Sequence, residues 1–356
     1  MIADVLYRSK DHTQGGVVSI NGVSPGKGVY WSNLVSYVDQ IDRLHPFLTV
    51  YETCEFAWKC RSGGTHNEPW YAKSGEAESI IREMDDEMRV VNRILEVLGL
   101  ARVKDTFVGD QQRVRGVSGG EKKRVTVAEM LVVGSPVFCG DEISTGLDAA
   151  TTYDITRMFA LACRVKNMTP IISLLQPPPE TVANFDELIL VSEGRVIYSG
   201  PVTEVLEHFR SLGYEIPERM DVADWLQALP TKDGYKFLAK ANDKTIGVKD
   251  LMEMHLSTSE FVDKFYTSKR GQEILAKVSS PFVASNKEFV EHLSATRYAN
   301  SGFESLKLLV RRELLLWWRD KYQIKAKIMQ SMFRSLRSES FELRVLTPRP
   351  QTSSLE

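Results

Sequence analysis

The sequence has few cysteines, no long hydrophobic run and almost no net charge. Four cysteines in 356 residues are too few for a disulfide framework, and the spacing of Cys54 and Cys60 does not suit a zinc site. A reduced, cytosolic compartment fits this cysteine usage best. The most concentrated apolar patch, residues 314–318, is far shorter than the ~18 residues of a membrane span, so we expect no span in this chain. A net charge of −2 provides no general attraction to nucleic acid.

Strand and helix patterns alternate along the first part of the chain. Short apolar runs typical of buried strands occupy residues 34–38, 137–139, 171–175 and 188–191. Apolar residues recur at three- and four-residue steps within residues 76–98, which predicts an amphipathic helix, and a second helix is predicted over 152–162. Asn21 and Gly22 form the strongest short hairpin signal, because both residues tolerate positive φ. This alternation predicts an α/β fold with layers of helices and strands.

Changes in composition and in apolar periodicity along the sequence predict four regions. They are an α/β domain over residues 1–213, a partly helical linker over 214–300, a basic amphipathic helix over 301–330 and a disordered tail over 331–356. The helix is the most informative of the last three, because residues 303–330 carry a net charge of +4. Its apolar stripe consists of Phe303, Leu306, Leu309, Val310, Leu314 and Trp317.

A basic amphipathic helix with neighbouring tryptophans is typical of a segment that lies in the membrane interface. The alternative is an ordinary packed helix whose basic face is solvated. We favour contact of residues 303–330 with a membrane surface, because Trp317 and Trp318 stand beside the basic residues.

Ser118, Gly119, Gly120 and Glu121 form the strongest local signal. The Ser and the Glu three residues later predict a capping box at the start of a helix. The two glycines let a phosphate approach the backbone, and the positive end of the helix dipole favours an anion. Taken alone, the pattern is more often a helix cap than a phosphate site.

Polar side chains follow two predicted strands. Asp141 and Glu142 come directly after the apolar strand at 137–139, and Gln40 follows the strand at 34–38. Adjacent carboxylates at a strand end suit one residue to hold a magnesium ion and the other to act on a water molecule. In isolation, an Asp-Glu pair after a strand is usually a solvated turn.

The order of these motifs resembles that of the ABC ATPase family. The matching segments are a Q-loop at Gln40, a signature loop at 117–121, a Walker B motif at 137–142 and a D-loop at 144–148. The segments VSGGEKKRV, DEISTGLD, LQPPPE and GRVIYSGP narrow the resemblance to the G subfamily, in particular pleiotropic-drug-resistance transporters. The resemblance implies a P-loop NTPase fold with a RecA-like core, an antiparallel β part and a helical subdomain at about 53–130.

The resemblance also implies roles for individual residues, with ATP and magnesium as cofactors. Gln40 would contact the magnesium ion, Asp141 would hold that ion through water, and Glu142 would polarise the attacking water. Asp148 would lie at the contact with a second nucleotide-binding domain in a head-to-tail pair. The signature residues would cap the γ-phosphate of ATP on the partner's P-loop; they are Ser118, Gly119, Gly120 and Glu121. Residues 303–330 would be the helix that connects to a transmembrane domain.

The sequence departs from the family pattern at two places. No Walker A sequence is present: residues 22–28 have three residues between the glycines instead of four, and Gly28 replaces the Ser or Thr that binds magnesium. The resemblance places that loop upstream of Met1, and we expect the printed chain to be inactive alone. The second departure is Leu175, before Gln176, where such transporters often carry the switch histidine. The resemblance is to the first-half nucleotide-binding domain of such transporters, in which this pattern is frequent, and it puts the hydrolytic strength of this half's own site in doubt.

The leading prediction is an ATP-hydrolysing module that couples ATP to the export of small molecules, membrane-associated on the cytoplasmic side. The first alternative is a non-transport ABC ATPase that works on nucleic acid; the net charge and the Trp-containing basic helix argue against it, so we expect no nucleic-acid partner. The second alternative is an inactive fragment that acts only by pairing with other domains. The transported substrate would be chosen by membrane spans and is not visible in this sequence.

Overall fold

The computed structural model describes residues 19–24, 28–62, 87–110, 112–166, 168–242, 245–280, 287–288, 290–291, 295 and 298–346. The elements, in chain order, are β1 (Val35–Val38), α1 (Val50–Ser62), α2 (Glu87–Val97), α3 (Gly119–Leu131), β2 (Val137–Gly140), α4 (Ala149–Lys166), β3 (Thr169–Ile172), α5 (Pro179–Val182), β4 (Glu187–Ser192), β5 (Arg195–Pro201), α6 (Val205–Ser211), α7 (Val222–Ala228), α8 (Val248–Met254), α9 (Thr258–Thr267), α10 (Lys269–Ser279), α11 (Gly302–Arg319) and α12 (Lys321–Leu346). Helices and strands alternate up to β4, so the prediction of an α/β fold is confirmed.

Three parallel strands form the sheet that positions the site. Their order is β1-β2-β3, with Val35 opposite Val137 and Val137 opposite Thr169. This register aligns the carboxyl ends of all three strands at one edge, and there the Asp141 N–H donates to the Val38 carbonyl at 2.9 Å. Within the described residues, β3 has a strand neighbour on one side only. The strand predicted over 171–175 begins and ends earlier in the structure, at Thr169 and Ile172. It ends there because Ser173 leaves the ladder after its N–H donates to the Gly140 carbonyl.

Helices α1, α2 and α3 surround the main hydrophobic core. Trp58 of α1, Leu95 of α2 and Val125 of α3 are completely buried there. The helical period predicted for residues 76–98 is confirmed over α2, where Val91 and Leu95 face the core; residues 76–86 of that prediction lie outside the described part. Burying a large apolar side chain contributes about 1.5–3 kcal/mol, so this core holds α3 firmly against α1 and the sheet.

A second hydrophobic core lies under the β4–β5 hairpin. The hairpin turns at Glu193-Gly194, and both residues have the positive φ that such a turn requires. Tyr198 of β5, Trp225 of α7 and Phe261 of α9 are buried together in this core. The predicted partly helical linker over 214–300 therefore contains helices that pack directly against the hairpin. The turn predicted at Asn21-Gly22 is also present, with Ile20 bridging Val23 and φ values of 48° and 81°.

The single basic helix predicted over 301–330 is two helices in the structure. α11 ends at Arg319, the backbone turns at Asp320, and α12 begins at Lys321. The predicted disordered tail is also wrong at its start, because α12 continues as a helix to Leu346; residues 347–356 lie outside the described part. In the part of the chain that the structure describes, no helix is long and apolar enough to cross a membrane.

Candidate functional site

The residues at the carboxyl ends of β1 and β2 meet at one edge of the sheet. The Gln40 Nε2 amide donates to Glu142 Oε2 at 2.6 Å, although the two residues are 102 positions apart. Asp141 lies beside them, and its carboxylate accepts hydrogen bonds from the Tyr37 hydroxyl at 3.3 Å and the Ser173 hydroxyl at 2.8 Å. The structure thus brings together the three residues that the sequence motifs singled out at two strand ends.

Glu142 is held by its backbone as well as by its side chain. Its N–H donates to Ser173 Oγ at 2.8 Å, and its φ of 47° lies in the left-handed region that a glutamate seldom adopts. Such a conformation costs of order 1–3 kcal/mol and persists where neighbouring contacts impose it, as they often do at functional sites. Ser173 therefore orients both acidic residues at once, a role that the sequence reading did not assign to it.

The start of α3 carries the predicted capping box. Ser118 Oγ accepts from the Glu121 N–H, and the Glu121 carboxylate accepts from the Ser118 N–H at 2.8 Å, so this prediction is confirmed. The Ser118 N–H lowers the pKa of Glu121 below its ordinary value, which fits a carboxylate at a helix N-terminus. A side chain added at Gly119 would meet open space within 4 Å, so this turn of backbone is accessible from outside.

The signature loop and the D-loop lie against each other. A Cβ placed on Gly120 would be 3.4 Å from Leu147 Cδ2 and 3.8 Å from the Gly146 carbonyl. Asp148 follows at once, and its carboxylate accepts from the Thr151 N–H at 2.8 Å, which helps to begin α4. Hydrogen bonds from Thr151 lower the pKa of Asp148, whose side chain is exposed. The two segments therefore form one continuous surface of the domain.

The switch position lies just beyond β3. Leu175 replaces the histidine that the family resemblance leads one to expect, and 59% of its side chain is exposed. Gln176 has a φ of 43°, and its side chain forms no hydrogen bond within the described residues. These two residues are two and three positions after Ser173, but the structure shows no polar contact from them to Gln40 or Glu142.

The chemistry of the strand ends suits magnesium only in combination with other ligands. No group of three His, Cys, Asp or Glu side chains able to hold a metal occurs among the residues that the structure describes. Mg²⁺ usually keeps several waters and takes one or two carboxylates together with substrate phosphates, so Asp141 and the amide oxygen of Gln40 fit a partial set. Because Gln40 donates to Glu142 through Nε2, its oxygen is the atom left for a cation.

Two family matches cover much of the chain. Residues 1–145 match the family described as ABC transporter, and residues 176–257 match the family described as ABC-2 type transporter. Among curated proteins, ABC transporter G family member 36 from Oryza sativa subsp. japonica is 34% identical over 97% of this chain and 24% of its own length. Pleiotropic drug resistance protein 1 from Nicotiana tabacum is 33% identical over 95% of this chain and 24% of its own length.

The parallel sheet, the acidic strand ends and the helix that begins at Gly119-Gly120 define a P-loop NTPase domain of the ATP-binding cassette class. The chain belongs to the ABC transporter family, and its relatives are the plant G family and pleiotropic drug resistance proteins. It spans about a quarter of the length of these curated relatives, at 24% of the rice and tobacco proteins.

Proposed function

We propose that this chain provides the Q-loop, signature and Walker B side of an ATP-binding unit that drives the export of small molecules across a membrane. The contact between Gln40 and Glu142 carries the proposal, because it joins the ends of two parallel strands at 2.6 Å with Asp141 beside them. If Asp141 and Glu142 formed only a solvated turn, there would be no reason for the Gln40 amide and the Glu142 carboxylate, which come from distant segments, to meet.

The residues divide the chemistry among themselves. Asp141 and Gln40 supply oxygens for magnesium, and a bound Mg-ATP would supply the phosphate that is transferred to water. Glu142 is the group that accepts the proton of that water, while Gln40 fixes the direction of its carboxylate. Ser173 and Tyr37 hold Asp141 in place, so the two acidic residues are kept in different environments.

Ser118, Gly119 and Gly120 serve a nucleotide held by a second domain. They begin α3, where the space next to Gly119 is open, and they lie next to the D-loop on the same surface. Asp148 contributes to the contact with that domain. A head-to-tail pair of nucleotide-binding domains would use both segments together, because each contributes to the surface around Gly120.

The exposed face of α11 is the proposed attachment to the membrane or to a transmembrane domain. The predicted apolar stripe is unburied along the whole helix: Phe303 is 75% exposed and Leu314 is 61% exposed. The helix instead docks on α1 through its opposite face, where Leu316 is buried and Arg319 is half-buried. This arrangement supports the interfacial interpretation over that of a fully packed helix.

The test of the ATP-binding proposal is calorimetry with Mg-ATP, first on the purified chain alone. Without Walker A, the chain lacks three or more charge-assisted phosphate contacts of roughly 1.5–3 kcal/mol each, so we expect an affinity at least about three orders of magnitude below a typical site. Micromolar binding by the chain alone would contradict this. Addition of a nucleotide-binding domain with an intact P-loop should then produce association that depends on Mg-ATP; no association at any nucleotide concentration would contradict the shared site.

The role of Glu142 is tested by Glu142→Gln in a form of the chain to which a Walker A segment has been joined upstream of Met1, in the presence of the second domain. We expect the variant to keep ATP-dependent association and to slow any turnover at this half's site by about 10²–10⁴-fold, the usual cost of losing a general base. Glu193→Gln is the matched control, because Glu193 is also a glutamate at positive φ, in the exposed β4–β5 turn. Equal effects of the two substitutions would mean that the lost turnover does not come from the carboxylate of Glu142 at this site.

A further inference from the structure

Lys123 is a buried charge that none of the roles proposed above uses. Its side chain is 2% exposed, and it lies on α3 five residues after Ser118. A buried ammonium is costly unless all of its donors are satisfied, so its partners indicate why the residue is there. Within the described residues those partners are all on the segment that leaves β1.

The three donors of the ammonium match three acceptors. Lys123 Nζ donates to the Asp39 carbonyl and to the Gln40 carbonyl at 2.9 Å each, and it lies 3.5 Å from Asp42 Oδ1. The two carbonyls belong to the peptide groups on either side of the Gln40 Cα. One side chain thus fixes both peptide planes that flank Gln40 and so limits the directions in which the Gln40 side chain can point.

We propose that Lys123 is a positioning residue that directs Gln40 toward Glu142 and links that contact to the Ser118-capped start of α3. Its significance for ATP chemistry rests on the proposed function, but the positioning itself does not. α3 is packed against the core, and the distance from Ser118 to Lys123 is about 7 Å along the helix axis. A displacement of the helix start therefore reaches the Gln40 peptide groups through one rigid element.

A second contact from the same helix gives a matched control. Thr126 Oγ1 donates to Asp42 Oδ1 at 2.8 Å, so it ties α3 to the same segment without touching the Gln40 peptide groups. If any contact between α3 and this segment sufficed, Thr126 and Lys123 would be equivalent. The proposal requires them to differ, because only Lys123 holds the two carbonyls.

The experiment follows the Gln40 side chain directly in the purified chain, labelled with ¹⁵N-glutamine and without nucleotide. The Gln40 side-chain amide signal is assigned by its loss in Gln40→Asn, and Glu142→Ala gives its position when the Glu142 contact is absent. We expect Lys123→Met to move the signal to the Glu142→Ala position and to raise amide exchange over residues 39–42 by at least about tenfold. Thr126→Val and Lys122→Met should leave the Gln40 signal at its wild-type position.

Two results would overturn the proposal. One is a wild-type Gln40 signal in folded Lys123→Met, and the other is an equal displacement in Thr126→Val. If Lys123→Met does not fold by circular dichroism, Lys123→Gln decides by the same two readouts, since its amide removes the charge and keeps donors for the carbonyls. In Lys123→Gln the Gln40 side-chain signal should lie closer to its position in the wild type than to its position in Glu142→Ala. Neither readout involves ATP, so failure of the proposed function would leave this result unaffected.

Discussion

Glu129 is the titratable side chain on α3 whose environment most affects the stability of the fold. Burial raises the pKa of Glu129 from its usual 4.5 to about 7, and the nearby charge of Arg312 on α11 offsets only part of that effect. The folded protein therefore binds a proton at Glu129 more tightly than the unfolded chain does. Between pH 4.5 and 7 the unfolded chain releases this proton first, so stability falls as the pH rises through that window.

We predict that Glu129→Gln is more stable than the wild type at pH 8, by up to about 3 kcal/mol, and nearly equal to it at pH 4.5. The amide keeps the shape of the protonated acid without the cost of burying a charge. Urea unfolding at several pH values measures the difference. Glu96→Gln, on the exposed side of α2, is the control and should show no such pH dependence. A constant difference between wild type and Glu129→Gln at all pH values would contradict the argument.

The site residues themselves were largely predictable, whereas the residues that hold them were not. Gln40, Asp141 and Glu142 follow apolar runs, so their places at strand ends could be inferred from local pattern. Ser173 and Lys123 act through contacts with segments more than thirty and eighty residues away, respectively. Such contacts depend on strand register and on helix packing, which single-sequence patterns do not specify. Ser173 lies in the middle of the strand predicted over 171–175, so the sequence pattern contained no signal for its role.

The docking of α11 on α1 is the feature that matters most at the scale of elements. Arg319 forms a two-pronged ion pair with Glu52 at 2.6 and 2.9 Å, donates to the Phe47 carbonyl at 3.0 Å and lies over the Phe107 ring. Burial tends to raise the pKa of Glu52, but the hydrogen bonds from Arg319 and Thr49 outweigh it and hold the pKa below its ordinary value. The stabilisation by the Arg319–Glu52 pair is complete above the pKa that Glu52 has in the unfolded chain. It is lost as the pH falls through the lower pKa that Glu52 has in the folded protein.

We predict that Arg319→Met and Glu52→Gln each destabilise the docked helix, and that the double variant costs less than the sum. A coupling of about 1–3 kcal/mol is typical of a charge-assisted, bidentate pair. The measurement is a double-mutant cycle by chemical denaturation at pH 7, repeated at pH 3.5, where the coupling should be smaller. Lys59→Met, which removes a single-pronged pair with Glu55 within α1, serves as the comparison. Additive effects at both pH values would show that the two side chains do not stabilise the interface jointly.

At this scale the sequence predicted the existence of elements better than their ends. The strands β1, β2 and β4 and the helices α2 and α4 lie where periodicity placed them. The break at Asp320 was not predictable, because neither proline nor glycine marks it. Asp320 is 6% exposed, so packing determines the turn between α11 and α12. Helix propensity alone would have continued one helix through this point.

In the part of the chain that the structure describes, a folded ATPase-type body carries an apolar face of α11 that is exposed along its length. We predict that the chain binds vesicles containing anionic lipid and that binding weakens as salt rises, because basic residues flank the exposed stripe. Cosedimentation with vesicles at several salt concentrations is the measurement. Leu314→Ser together with Phe303→Ser should reduce binding, while Leu161→Ser, an exposed apolar change on α4, should not. Equal binding to neutral and anionic vesicles at all salt concentrations would show that the basic residues do not contribute electrostatic attraction to the membrane.

The one-sided pairing of β3 has a consequence for handling the protein. Within the described residues no strand pairs with the outer side of β3, so its backbone donors and acceptors are left for another extended segment, and Ile171 is 38% exposed. A parallel edge of this kind is a template for aggregation. Concentrated preparations should therefore be prone to ordered precipitation by strand addition, and a lysine introduced at Ile171 is the gatekeeper substitution to include when material is expressed for crystallisation or spectroscopy.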